Sequence, residues 1–178
     1  MLDPAELVST PAPGRACGAC TLCCKVYDVP AVESVAGEWC RHAKPGRGCG
    51  IHETRPGHCR AFHCLWMTEG WIGPEWKPDK AKMVLSIDPT TRFLHVQVDP
   101  SQPAVWRREP YYAQLKRWAV ASLPQRRHVL VFVNRSATVV LPDRDVPLGV
   151  FLPGDRLVAR ERMTPDGVVL DVEKRTVT

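Results

Sequence analysis

The chain has 178 residues, 44% of them hydrophobic and 24% charged, which is about one domain's length with enough apolar content for a real core and excludes wholesale disorder. The formal charge of +5 is uneven: residues 1–78 carry 8 Lys and Arg against 8 Asp and Glu, whereas 79–178 carry 16 against 11. No apolar run approaches the roughly 18 residues of a spanning helix, and Met1-Leu2-Asp3-Pro4 lacks the basic and apolar stretches of a secretion signal. No membrane partner is therefore expected, and the expected location is the cytoplasm.

Residues 1–15, with Pro4, Pro11, Pro13 and Gly14, lack apolar periodicity and are expected to form a flexible lead-in. Residues 16–69 hold all eight cysteines and little regular structure. A short strand is expected at 26–29 and a small hairpin around Gly46, Gly48 and Gly50. Thr54 offers an N-cap, with Pro56 in the first turn of a helix running through Trp66. Residues 70–79, with Gly73-Pro74 and Lys77-Pro78, read as a linker, and Trp66, Trp71 and Trp76 around it are expected to seal one part against the next.

The remainder, 80–178, is expected to be an antiparallel sheet with one packed helix. Strands are predicted at 83–87 and 93–98 around an Asp88-Pro89-Thr90-Thr91 turn, and at 128–133 and 137–141. A further pair, 156–160 and 168–172, brackets Pro165-Asp166-Gly167. The helix is predicted from about Pro110 to Ser122, stopped by Pro124. The fold class is thus α+β: a small, loop-rich cysteine module followed by the sheet. Arg107-Arg108, Lys116-Arg117 and Arg126-Arg127 fall short of the five or six like charges of a binding tail, so they read as a solvated face.

The chemistry lies in Cys17, Cys20, Cys23, Cys24, Cys40, Cys49, Cys59 and Cys64; the following 114 residues have no cysteine. Disulfide frameworks of this density belong to short secreted chains, whereas closely spaced thiols in a reducing compartment are metal ligands. In C-x2-C-x2-C-C at 17–24, two intervening residues let both sulfurs of a pair turn toward one ion. Thiolates suit zinc, copper(I) or iron-sulfur clusters and disfavour calcium and magnesium.

This run, with Gly48-Cys49-Gly50-Ile51-His52-Glu53-Thr54-Arg55-Pro56-Gly57-His58-Cys59-Arg60-Ala61-Phe62-His63-Cys64 downstream, resembles the YkgJ-like cysteine-cluster family, named as a zinc- or iron-chelating domain. In that family a GC-x-[I/V]-Y-x-x-RP-x-x-C-R-x-F-x-C segment follows the N-terminal cluster, and here His52 stands where Tyr is usual. The resemblance covers roughly residues 17–66 and implies nothing for 80–178. Flagellin lysine methylases carry a similar cluster, which implies that the module can accompany an enzyme without being its active site.

Zinc and an iron-sulfur cluster are equally open. Cys17, Cys20 and Cys23 match the first three ligands of the bacterial ferredoxin run, but its fourth cysteine and proline are absent, and four sulfurs equally make a closed zinc site. His63, His52 and His58 are candidate extra ligands or hydrogen-bond partners of ligands, as is His42. His63 leads them, lying one turn after Cys59 on the expected helix. Arg55, Arg60 and Arg41 stand where guanidinium groups would offset the roughly two negative charges of a tetrathiolate site.

Adjacent Cys23 and Cys24 cannot both face one mononuclear ion from an extended chain. Cys59 and Cys64 stand about 140° apart on an ideal helix, so either that helix breaks or they serve different partners. Two groups of four ligands, or one group with four spare thiols, both remain open, with Cys17 and Cys20 expected to share an ion. The expected function is metal binding. An accessory or redox enzyme using the cluster is the alternative, and a zinc-containing nucleic-acid adaptor is disfavoured because no reading helix accompanies the basic pairs. A protein partner is open.

Overall fold

The computed structural model describes residues 10–165 and 167–176. Up to residue 81 proline and glycine keep every element short: α1 (Cys23–Val26), β1 (Ala43–Lys44), β2 (Gly48–Cys49), α2 (Gly57–Ala61), α3 (Leu65–Thr68) and α4 (Pro78–Ala81). β1 and β2 are the expected small hairpin. Of the strand expected at 26–29, Val26 instead ends α1, where Lys25 and Val26 N–H both donate to Leu22 O, and beyond it only a bridge joins Val29 to Ser34. Thr54 does not cap the next helix. Its side chain makes no capping bond, and α2 starts beyond Pro56 and ends at Ala61, where Phe62 turns extended.

The rest is a five-stranded sheet with one long helix and a separate hairpin: β3 (Met83–Ile87), β4 (Leu94–Val98), α5 (Tyr111–Ser122), β5 (Val129–Val133), β6 (Ser136–Val140), β7 (Asp145–Val150), β8 (Arg156–Thr164) and β9 (Gly167–Arg175). The mix of helix and sheet makes the chain α+β. The sheet follows sequence order, β3 to β7, but it is mixed rather than antiparallel. β4 and β5 run parallel, with Leu94 opposite Val129 and Val98 opposite Val133. Parallel neighbours need a crossover, and α5 supplies it. β7 was not legible in the sequence. Pro147 argues against a strand, but β7 lies at the sheet's edge, where a missing N–H is tolerated. β8 and β9 pair antiparallel across the expected hairpin, whose Asp166 lies outside the described residues.

Strand alternation divides the buried side chains between the two faces. Met83, Leu85, Val96, Val98, Val129 and Val131 face α5 and pack with Leu115, Ala119 and Trp106. Ile72 and Trp76, from the stretch 70–79, are buried in this same cluster. The three tryptophans around that stretch differ: Trp76 is 3% exposed, Trp71 is 67% exposed, and the half-buried Trp66 carries Arg15 and Lys77 over its ring. Leu130, Phe132 and Val139 face the other way, against Leu157, Leu170 and Val172 of the β8–β9 hairpin. Of the basic pairs, Arg107 and Lys116 are tied to Asp145 at 3.3 and 2.8 Å.

On the face that carries Val84, the cysteine module sits over β3. Val84, itself fully buried, completes a cluster with Leu22, Val26, Cys64 and Met67. Tyr27 and Ser86 hydroxyls meet at 3.1 Å. Gly37 has φ +100°, and a Cβ there would lie 2.7 Å from Asn134 Oδ1, so glycine lets the 36–38 loop approach the β5–β6 turn. From the N-terminal side, Ala12 N–H donates to Met67 O, and the Arg15 guanidinium donates to the carbonyls of Trp66, Glu69, Gly70 and Ile72.

The strongest polar tie between module and sheet is Lys25 Nζ on Asp99 Oδ1, at 2.7 Å with side chains 12% and 9% exposed. Ser101 adds bonds to the same oxygen from its N–H at 2.9 Å and its hydroxyl at 2.6 Å. Burial pushes the Asp99 carboxyl up, but the bonds from Lys25 and Ser101 outweigh it and hold the group below the usual carboxylate range. A carboxyl that titrates lower when folded stabilises the fold fully above its unfolded value, near pH 4. That contribution is lost as pH falls from there through the lowered value. Asp99→Ala is expected to cost about 3 kcal/mol in urea denaturation at pH 7, because it leaves Lys25 half-enclosed without its counter-charge. The difference from wild type should shrink below pH 4; a difference independent of pH would contradict this.

Among the described residues no helix is long and apolar enough to cross a membrane.

Candidate functional site

The eight cysteines are positioned by short local bonds rather than by long elements. Cys20 N–H donates to Cys17 O at 2.9 Å and closes the first CxxC turn. One turn on, Cys23 and Cys24 open α1, where consecutive side chains diverge by about 100°. Cys40 N–H donates to Cys24 O at 2.9 Å, which sets the 36–40 loop beside α1. Cys49 sits in β2 opposite Ala43. Gly48 before it, at φ +102°, lets the hairpin approach the first loop, since a Cβ there would stand 3.2 Å from Gly18 O. Cys59 is carried by α2 and Cys64 precedes α3, so the break at 62–64 separates them. All eight are free, Cys64 is buried, and the other seven are partly buried.

Two adjoining cavities collect these sulfurs. The larger, of ≈ 280 Å³, is bordered by Cys23, Cys24, Cys40, Cys49 and Cys59, with Tyr27, Phe62, His42 and His58. A smaller one, of ≈ 50 Å³, is bordered by Cys17, Cys20, Cys23, Cys59 and Cys64, with Phe62 and Val84. Arg55 borders both. Its place follows from the chain: Pro56 disfavours the helical region for the residue before it, and Arg55 is accordingly extended at φ −58°, ψ 149°. Its Nε is buried and has no hydrogen-bond partner.

Burial raises the thiols of Cys17, Cys20 and Cys59 above their ordinary range, and that of Cys64 to about 11. Cys23 is raised too, first by its hydrogen bond to Cys24 and then by burial. Cys24 alone is lowered, to about 7, by that bond from Cys23 and by the Arg55 guanidinium, against burial. Most of the sulfurs are thus held as neutral thiols. Adding negative charge among them is costly without a neighbouring cation. Among the described residues, no group of three or more His, Cys, Asp or Glu is already gathered to hold an ion.

The histidine and arginine candidates fare differently. His58 is exposed at the rim of the larger cavity, which His42 also borders. His52 and His63 instead border a third, open cleft with Cys17, Cys49 and Arg55. His63 was expected one turn after Cys59 on one helix face, but α2 ends at Ala61, so the two do not share a face. Burial and then Arg55 lower His63, and its buried Nδ1 has no partner. Arg60 is exposed, and Arg41, also exposed, pairs with Glu33.

Sequence reasoning did not single out Arg15 or the Lys25–Asp99 pair, which fix the module's position; single charged residues without a motif carry no signal of distant partners. Phe62, 4.9 Å from the Tyr27 ring in an edge-on contact, also escaped notice as a shared wall of both cavities. No family model, curated protein or solved structure matches this chain.

Proposed function

We propose that this protein binds a thiophilic metal, as zinc or as an iron-sulfur cluster, through the clustered thiolates of residues 17–64. The observation that carries the reading is the convergence of eight free cysteines on two adjoining cavities that share Arg55, whose buried Nε lacks an acceptor. A thiolate is the acceptor that such a donor would meet once a metal is held, and a guanidinium offsets the charge left by four sulfurs around a divalent ion. The resemblance of the CxxCxxCC run and the downstream Arg55-Pro56 segment to a zinc- or iron-chelating family supports the same reading.

When bound, zinc would supply a closed structural tetrahedron, and a cluster would supply one-electron chemistry. The chain's own part is to hold the sulfurs, keep water from them with Tyr27, Phe62 and Val84, and balance charge with Arg55. Elemental analysis of untagged protein purified without oxygen tests the proposal. Near-stoichiometric zinc or iron is expected, with brown colour and acid-labile sulfide selecting the cluster and colourless protein with zinc selecting the tetrahedron. Metal-free protein would overturn it.

A further inference from the structure

We propose that the eight cysteines form two separate, adjoining metal centres, one from Cys17, Cys20, Cys23 and Cys64 and the other from Cys24, Cys40, Cys49 and Cys59. This inference rests on the metal-binding reading above and assigns its ligands. The membership follows from the cavities. Cys17, Cys20 and Cys64 border the smaller cavity and not the larger, whereas Cys24, Cys40 and Cys49 border the larger and not the smaller. Cys23 and Cys59 stand on the shared wall. Cys23 packs with Cys17 and Cys20 against the cluster that contains Cys64, which assigns it to the smaller cavity and leaves Cys59 as the fourth sulfur of the larger.

Local structure gives each assignment a cause. In α1 the Cys23 and Cys24 side chains leave the axis about 100° apart, so two adjacent cysteines serve two cavities without strain. At the other end of the module, the break between α2 and α3 gives Cys59 and Cys64 independent directions. Cys59 stays with the loops that carry Cys40 and Cys49, and Cys64 turns into the cluster of Leu22, Val26, Met67 and Val84, against which Cys17, Cys20 and Cys23 also pack. Both sets have four sulfurs, the number that closes a tetrahedral site. Arg55 lies where it touches both cavities, so one guanidinium serves the excess negative charge of two centres.

The test is anaerobic titration of the reduced, metal-free full-length chain with cobalt(II), followed by its sulfur-to-cobalt absorption, for wild type, Cys20→Ser and Cys40→Ser. These two cysteines each border one cavity only. Wild type is expected to bind two equivalents in tetrathiolate sites, and each variant is expected to keep one such site, halving the absorption. One equivalent in wild type, or loss of all tetrathiolate absorption in either variant while its circular dichroism remains native, would overturn the division and leave metal binding standing. Wild type that binds no cobalt would overturn the two tetrathiolate sites, and elemental analysis for iron and acid-labile sulfide would then decide the metal-binding reading separately. Should a variant fail to fold, the wild-type stoichiometry alone decides.

Discussion

If the proposed metal site holds the module, chelation is expected to unfold residues 16–69 and leave the sheet standing. The module has little of its own to hold it: among the described residues before the sheet, no helix longer than five residues, two strands of two residues each, and a core of Leu22, Val26, Cys64 and Met67 that borrows Val84 from β3. Small loop-rich modules of this kind take their folding energy from the metal, on the order of 10 kcal/mol for structural zinc, which exceeds what so few apolar side chains contribute. Hydrogen exchange read by mass spectrometry localises the effect. After chelation the amides of Gly37, Cys40 and Gly50, which donate to Lys25, Cys24 and His42, should lose protection, while those of β3 to β6 keep it. Unchanged protection of the module after complete metal removal would show that the loops hold themselves.

Trp76→Ala is expected to cost about 3–5 kcal/mol, the range for removing a large buried aromatic side chain. The Trp76 ring is 3% exposed, with its centroid 4.9 Å from both Tyr111 and Trp118 of α5. Ile72 lies in the same cluster. Residues 70–79 therefore do more than connect, and a fragment starting at Lys80 would lack two members of the sheet–helix core. Denaturant melts of Trp76→Ala and of exposed Trp71→Ala make the comparison. The first should fall by several kcal/mol and the second by under about 1, as surface substitutions do. Equal effects would contradict the packing described for this seam.

The elements that proved legible are those with strong periodicity. Strands 83–87, 129–133 and 136–140 and the helix 111–122 carry apolar residues at spacings that only one structure satisfies. What escaped depends on contacts between distant residues. The parallel pairing of β4 with β5 has no local signature, and Pro147 conceals an edge strand that the sheet nonetheless accepts. For the candidate site, spacing draws attention to the eight cysteines and Arg55, and the division of the cysteines between two cavities comes from the folded chain. That division depends on Cys23 and Cys24 lying in the short helix α1 and on α2 ending at Ala61. His63 was misplaced for the same reason: its expected neighbour Cys59 lies on a helix that stops before reaching it.

X-ray absorption at the zinc and iron edges of anaerobically purified protein tests the proposed thiolate centre most directly. The expected result is a first shell of sulfur alone, at about 2.3 Å for zinc. A shell of nitrogen and oxygen, or no metal edge at all, would contradict it.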